Sequence, residues 1–310
     1  MKKIQTSIKF IIVVLFGIQI GCSKDDGENT RQLKTDVNKK PVIVVSNYPL
    51  FYFTERLAPG VDVKFPAADS DDPAYWRPNT DDIFIMQNAD LIILNGADYE
   101  KWLSTISLPP TKIINSLKGF DDQLIKIDDK VTHSHGLEGE HEHSETAFTT
   151  WLDFKLCINQ AEVIKDALIL LIPSNKEEIE QNFISLKSDL DLLDTKMHAA
   201  ASNLEDKILY ASHPVYQYLS KAYQINIISE HWEPDVIPGE EMWSGLSDKL
   251  VNDPSDIMLW EDKPLPEIEK KLNELGLRIA VFNPCANKPE TGDFLSVMNS
   301  NIEGLIPEHQ

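Results

Sequence analysis

Apolar residues fall at Ile179, Phe183, Leu186, Leu190, Leu193 and Met197, separated by 4, 3, 4, 3 and 4 positions. That spacing keeps one face of an α-helix apolar over successive turns, and neither glycine nor proline interrupts the chain from Ser174 to Asn203. The pattern predicts a single helix of about 30 residues, roughly 45 Å long at 1.5 Å per residue. A rod of that length spans a 310-residue molecule rather than fitting inside one lobe of it. Its start is marked by Pro173 and by Ser174 with Glu177 three positions on, the spacing of a capping box.

On both sides of this helix the periodicity changes. "PVIVVSN" (41–47) and "DLIILNG" (90–96) are short, continuous apolar runs, the pattern of strands buried on both faces, the second ending at Gly96. "VDVKFPA" reads as a further strand, and "KIINSL" and "LIKID" follow. Helices are predicted over "YPLFYFTERLAPG", closed by Pro59-Gly60, and over "TDDIFIMQNA", with Thr80 as its N-cap. "LDFKLCINQAEVIKDALILLI" is amphipathic and stops at Pro173. Beyond the long helix come strands "KILYAS", "INIISE", "SDIMLWE" and "LRIAVFNP", with helices "PVYQYLSKAY" and "PEIEKKLNELG" between them. Strands alternating with helices specify parallel sheets. The expected fold is α/β, two Rossmann-like lobes joined by a long rigid helix: lobe 41–155, helical connection 156–205, lobe 206–310.

Residues 1–22 stand apart. Lys2, Lys3 and Lys9 precede the apolar run "FIIVVLFGI", which has signal-peptide length and is too short to span a bilayer. It closes on "QIGC", which resembles a bacterial lipoprotein signal with Cys22 as the lipidated residue. The polar segment 23–40 reads as a flexible tether, and its "SKDD" resembles the export signal of surface lipoproteins in some Gram-negative bacteria. The expected location is the cell envelope, lipid-anchored, on the periplasmic face or the cell surface of an outer membrane. A net charge of −21 leaves no basic patch for nucleic acid. Cys157 and Cys285 either pair or remain as two buried thiols.

"HSHGLEGEHEHS" (133–144) holds four of the eight histidines, a concentration of imidazole that points to a divalent metal. Three further stretches identify the family. "DDPAYWRPNTDDIFIMQNADLIILNGADYEKWL" (71–103), "TTWLDFKLCINQAEVIKDAL" and "ILYASHPVYQYLSKAYQI" resemble, in order and spacing, the zinc/manganese substrate-binding proteins of bacterial ABC importers. That resemblance covers nearly all of residues 41–310 and implies metal bound in the cleft between two lobes. It also implies ligands at positions occupied here by Ala74, Thr149 and Asn283, so that His213 alone of the usual four stands in place. His231 and Glu261, each at the end of a second-lobe strand, are the candidates to rebuild the set, with Glu233 a further one. His141 or His143, six to eight residues before Thr149 and within about 20–30 Å of extended chain, would supply a fourth ligand, while His133 and His135 would recruit metal from solvent. Each also has an ordinary reading: His213 as a helix-start residue beside Pro214, His231 as a loop histidine packed on Trp232, Glu261 as a solvated strand-end acid, the His-rich loop 133–143 as a loose metal sponge. Trp76, Trp102, Trp151, Trp243 and Trp260 are assigned to packing, and His198 to the surface.

The expected function is capture of Zn²⁺, in preference to Mn²⁺ because imidazole donors suit zinc, and its delivery to an ABC permease. The alternative is a surface metal-scavenging or adhesin-like lipoprotein without a permease. No H-E-x-x-H, nucleophile elbow or phosphate-cradling glycine loop is present, and no enzymatic activity is expected.

Overall fold

The computed structural model describes residues 39–127, 145–232 and 236–306. The signal, Cys22 and the tether up to residue 38 lie outside these residues, as do the histidines at 133, 135, 141 and 143 and Glu233. The chain enters through β1 (Val42–Val45), α1 (Tyr48–Leu57), β2 (Asp62–Lys64), α2 (Thr80–Asn88), β3 (Leu91–Leu94) and β4 (Ile113–Asn115). A short antiparallel pair, β5 (Lys126–Ile127) and β6 (Glu145–Thr146), leads to α3 (Phe154–Leu171) and the long helix α4 (Lys176–Ser202). The second half runs β7 (Ile208–Ala211), α5 (Gln217–Tyr223), β8 (Asn226–Ser229), α6 (Glu240–Asn252), β9 (Ile257–Trp260), α7 (Pro266–Glu274), β10 (Arg278–Val281) and α8 (Phe294–Leu305).

Two four-stranded sheets result, in the orders β2-β1-β3-β4 and β10-β9-β7-β8, every neighbouring pair parallel. The continuous apolar runs have the expected cause: all four residues of β3 and all four of β9 are buried. In each sheet the strand order reverses beside the first strand, between β1 and β3 and between β7 and β9. The carboxyl ends of those strands are where such sheets take ligands.

The stripe predicted for α4 is buried as a unit. Ile179, Leu186, Leu190, Leu193 and Met197 are at most 1% exposed, and Phe183 is half-buried beneath the Lys165 ammonium, 4.7 Å from its ring. The helix has 27 residues, about 40 Å. It is bonded to both lobes: Asp189 to Arg56 of α1 at 2.8 Å, Asn182 to the Leu57 carbonyl at 3.1 Å, Asp194 to Tyr223 of α5 at 3.1 Å, and Lys196 to Asn299 of α8 at 2.5 Å.

Its start differs from the expected capping box. Pro173–Asn175 form a 3₁₀ turn closed by the Lys176 amide on the Pro173 carbonyl, so the helix begins later and Ser174 donates to Asn175 Oδ1 instead. Likewise the N-cap of α2 is Asn79, not Thr80. Asn79 has extended backbone, accepts from the Asp81 and Asp82 amides, and is capped in return by Asp82. Helices α6 and α8 are additions to the predicted pattern. The second carries a plain start signal in Asp293 and Ser296, whose side chains cap each other's backbone.

The turn after β3 requires glycine. Gly96 has φ +82°, and a Cβ there would lie 2.2 Å from Asn115 Oδ1. Ala97 and Asp98 follow with φ 52° and 59°, so the turn stores strain that only the surrounding bonds offset. Gly96→Ala is expected to destabilise the protein by about 2 kcal/mol or more, and Leu190→Ala by about 2–5 kcal/mol through cavity formation. Thermal or urea unfolding of the two variants measures both.

Candidate metal centre

In the first sheet, the ends of β1 and β3 are joined by a buried, uncharged network. Asn47 caps α1, accepting from the Leu50 amide at 3.0 Å, and its amide nitrogen donates to Asn95 Oδ1. Asn95 Oδ1 also accepts from Gln160 Nε2 and Thr150 Oγ1. Beside it the Glu100 carboxylate takes the Asn95 amide at 2.6 Å and the Gly96 amide at 3.2 Å. Burial raises the Glu100 pKa above the usual carboxylate value, and hydrogen bonds from Ser46 and these amides offset part of that rise. These side chains hold one another and the strained turn 96–98.

In the second sheet the backbone ladder runs on past the strand ends. The Ser212 amide donates to the Leu259 carbonyl at 3.0 Å, Glu230 to Ala211 at 2.8 Å, and Trp232 to Ser212 at 2.8 Å. Those bonds set His213, just past β7, beside His231, just past β8. The two rings lie 6.4 Å apart, centroid to centroid, at 78°. His213 is half-buried with Nδ1 out of contact with solvent, and His231 is exposed. Two imidazoles on one tetrahedral zinc at about 2 Å have centroids roughly 5 Å apart, against 6.4 Å for this pair.

Glu261 is half-buried just past β9, and its charge adds to the burial that holds the Tyr216 hydroxyl well above its ordinary pKa. The Tyr216 hydroxyl donates to the Phe282 carbonyl at 2.8 Å. Among the described residues, no group of three His, Cys, Asp or Glu side chains is gathered closely enough to hold a metal ion. The structure brings together His213 and His231 and does not assemble Glu261 with them into such a group.

The three positions where the resemblance implies ligands are committed elsewhere. Ala74 is fully buried, its carbonyl taken by the Lys101 amide. Thr149 Oγ1 donates to the Val215 carbonyl. Asn283 Oδ1 accepts from the Cys285 amide at 2.6 Å, folding the side chain onto its own turn. Cys157 and Cys285 are separate free thiols, and burial raises both, Cys285 to about 12.

The tryptophans pack as expected: Trp151 is fully buried, Trp76 meets Trp102 edge-on, and Trp232 joins Trp243 and Trp260 in one cluster behind His231. His198 is half-exposed, resting on Tyr223. The buried Asn47–Asn95–Gln160 network and Glu100 escaped the sequence reading; Asn47, three residues before Leu50 and two before Pro49, carried the signal of a helix cap.

Compared with known proteins, residues 43–306 match the profile described as ZnuA, zinc-uptake complex component A, periplasmic. The chain belongs to the ZnuA family. Among curated ZnuA-like relatives, it is 26% identical to the zinc-binding protein AdcA of Streptococcus pyogenes over 86% of this chain and 55% of that one, and so spans about half the length of that relative. It is 24% identical to the high-affinity zinc uptake system protein ZnuA of Bacillus subtilis, over 96% and 95% of the two chains. It is 26% identical to the manganese ABC transporter substrate-binding lipoprotein PsaA of Streptococcus pneumoniae, over 98% of each. The fold matches the metal-dependent lipoprotein YcdH of Bacillus subtilis with TM-score 0.74 at 22% identity, covering 86% of this chain and 98% of that one. It also matches Zn(II)-bound AdcA of Streptococcus pneumoniae, TM-score 0.73 at 22% identity, covering 86% and 57%. The two parallel-sheet lobes and the long helix are thus those of the ZnuA family.

Within this ZnuA-family fold, Glu100 gives the first-lobe turn a pH signature. Its folded-state pKa lies above the ordinary value of 4.5, so the stability it contributes is complete at acid pH and is lost as pH rises through the folded value. The stability advantage of wild type over Glu100→Gln is expected to grow as pH falls from 7 toward 4.5, measured by urea unfolding of both proteins. An advantage independent of pH would mean that the carboxyl is not shifted.

Proposed function

We propose that this chain is the extracytoplasmic binding component of a metal importer, capturing Zn²⁺ and passing it to an ABC permease. The observation that carries the reading is the His213–His231 pair, two imidazoles 6.4 Å apart beyond adjacent parallel strands at the ligand-binding end of a ZnuA-family sheet. Neutral imidazole is a preferred zinc donor, and the relatives named for zinc support that choice over manganese. In this reading His213 and His231 are the anchoring ligands, Glu261 approaches from the neighbouring strand, His141 or His143 completes the coordination, and His133 and His135 gather metal.

The chain organisation that goes with this is a signal over 1–22, lipidation at Cys22, a tether over 23–40, lobes over 41–155 and 206–310, and a helical connection over 156–205. The lipidated cysteine would hold the protein on a membrane of the cell envelope, at its periplasmic face or at the cell surface. The alternative, a surface scavenger with no permease, draws on the ligand positions filled by Ala74, Thr149 and Asn283. Reconstitution with a permease encoded in the same genome separates the two, because only the importer reading expects a complex. No chemistry on a substrate is part of either reading.

Protein beginning at residue 23 is expected to bind about one tight Zn²⁺ per chain by isothermal titration calorimetry. His213→Ala abolishes that site, His231→Ala weakens it at least about tenfold, and deletion of 133–143 removes weaker sites and loosens the tight one. Affinity falls on acidification because the imidazoles must be unprotonated to bind. A tight site unchanged in His213→Ala would sink the assignment.

A further inference from the structure

We propose that helix α6 is the positioning element of the metal centre, and that its Trp243 and Lys249 set the pose of His231 by gripping the residues on either side of it. The proposal rests on the metal-binding function given above, and it names residues for that site that touch no metal themselves.

His231 is exposed, so the direction of its ring depends on how firmly its main chain is held. The second sheet supplies part of that hold. Ala211 and Ser229 are register partners at the ends of β7 and β8. Beyond them the Glu230 amide donates to Ala211 O and the Trp232 amide to Ser212 O, each at 2.8 Å. Those bonds fall on alternate residues, as in a parallel strand, so Glu230 and Trp232 turn to one side and His231 to the other. Two residues past the last register pair, His213 falls opposite His231.

Helix α6 takes hold of the side that His231 leaves. Lys249 Nζ donates to Glu230 Oε1 at 2.6 Å, and the Glu230 side chain is only 12% exposed. Nearly two turns earlier on that helix, Trp243 meets the Trp232 ring edge-on, with centroids 4.8 Å apart at 64°. Trp243 is itself fixed. It is buried, its indole N–H donates to Pro238 O at 2.9 Å, and the Lys271 ammonium lies 4.7 Å from its ring while bonding Glu240 at 2.9 Å. Just past the far end of α6, Asp253 O accepts from the Tyr210 hydroxyl at 3.2 Å. Tyr210 belongs to β7, the strand that leads to His213. One helix is thus tied to both strands that carry the two imidazoles, and it clasps both chain neighbours of the exposed one. Groups behind a metal-binding side chain fix its orientation, and losing one typically costs about 10–100-fold in affinity.

The test uses the chain from residue 23 and compares Trp243→Leu, Trp243→Phe and Lys249→Met with wild type. By isothermal titration calorimetry, zinc affinity is expected to fall about tenfold or more in Trp243→Leu and in Lys249→Met. Trp243→Phe, which keeps a ring against Trp232, should recover most of the loss; a Phe variant as weak as the Leu variant overturns the proposal. So does unchanged affinity in a folded Trp243→Leu or Lys249→Met, since core packing alone would lower the urea midpoint and leave zinc binding as it was. Lys249 is exposed, so its variant keeps the core intact and carries the test where Trp243→Leu does not fold. A second readout needs no metal. In EDTA, hydrogen exchange at the Trp232 amide should be about tenfold faster in Lys249→Met than in wild type, while amides of β3 in the first sheet exchange alike in the two proteins. Equal exchange at Trp232 overturns the proposal. If wild type binds no zinc, the function proposed above fails, while the exchange comparison in EDTA still decides whether α6 holds the chain at His231.

Discussion

The apolar face of α4 is the constraint on which the rest depends. One row of side chains, from Ile179 to Met197, is removed from water by helices of both halves of the chain, α1 and α3 on one side and α5 and α8 on the other. Burying a leucine completely is worth about 1.5–3 kcal/mol, so the row favours any arrangement in which both sheets lie along the same rod. The polar bonds along it, from Arg56 to Asp189 and from Tyr223 to Asp194, fix the rotation of each lobe about that rod. The carboxyl ends of two separate parallel sheets thereby come to face the same divide.

What lines that divide differs between the halves. The first lobe contributes a buried amide network and a buried carboxylate that bonds the main chain of a strained turn. The second lobe contributes two imidazoles, set side by side by a backbone ladder that continues beyond the last strand residues. Metal-binding capacity among the described residues is therefore concentrated on one side. Trp232 anchors that side from behind: its amide fixes the chain to Ser212 and its indole packs on Trp243 and Trp260, so His231 has a rigid base although it is itself exposed.

The two lobes and the connecting helix were legible because their signals are long-range in sequence and redundant. Buried parallel strands such as "LIIL" and "IMLW" cannot alternate, and a 4-3-4-3-4 stripe has no reading other than a helix packed on one face. Helix starts were less legible, since Thr80 competed with Asn79 and the capping box at Ser174 with a proline turn, each settled by backbone angles that composition does not encode. That His213 and His231 lie just past adjacent strands could be read from the sequence. The fate of Thr149 and Asn283 could not, because each is decided by a partner far away in sequence or by a turn geometry: a carbonyl at 215, a left-handed residue at 285. Helix α8 was hidden for a related reason, because its start signal is the reciprocal pair Asp293 and Ser296 rather than a long apolar stripe.

Four of the bonds that cross between the lobes, donated by Tyr48, Thr149, Trp151 and Asn287, share one chemical property. Their acceptors are the main-chain oxygens of Ser70, Val215, Pro284 and Ala286. A carbonyl belongs to every residue type, so replacing any of those four side chains leaves the acceptor in place wherever the backbone path is kept. Genetic drift can erode the identity of one partner in each bond without touching the bond, and selection on side chains falls on the donors Thr149, Trp151 and Asn287, since Tyr48 gives its main-chain amide. Closure of this molecule is thus written in very few letters of its sequence, and chains that look unrelated at 70, 215, 284 and 286 can share it.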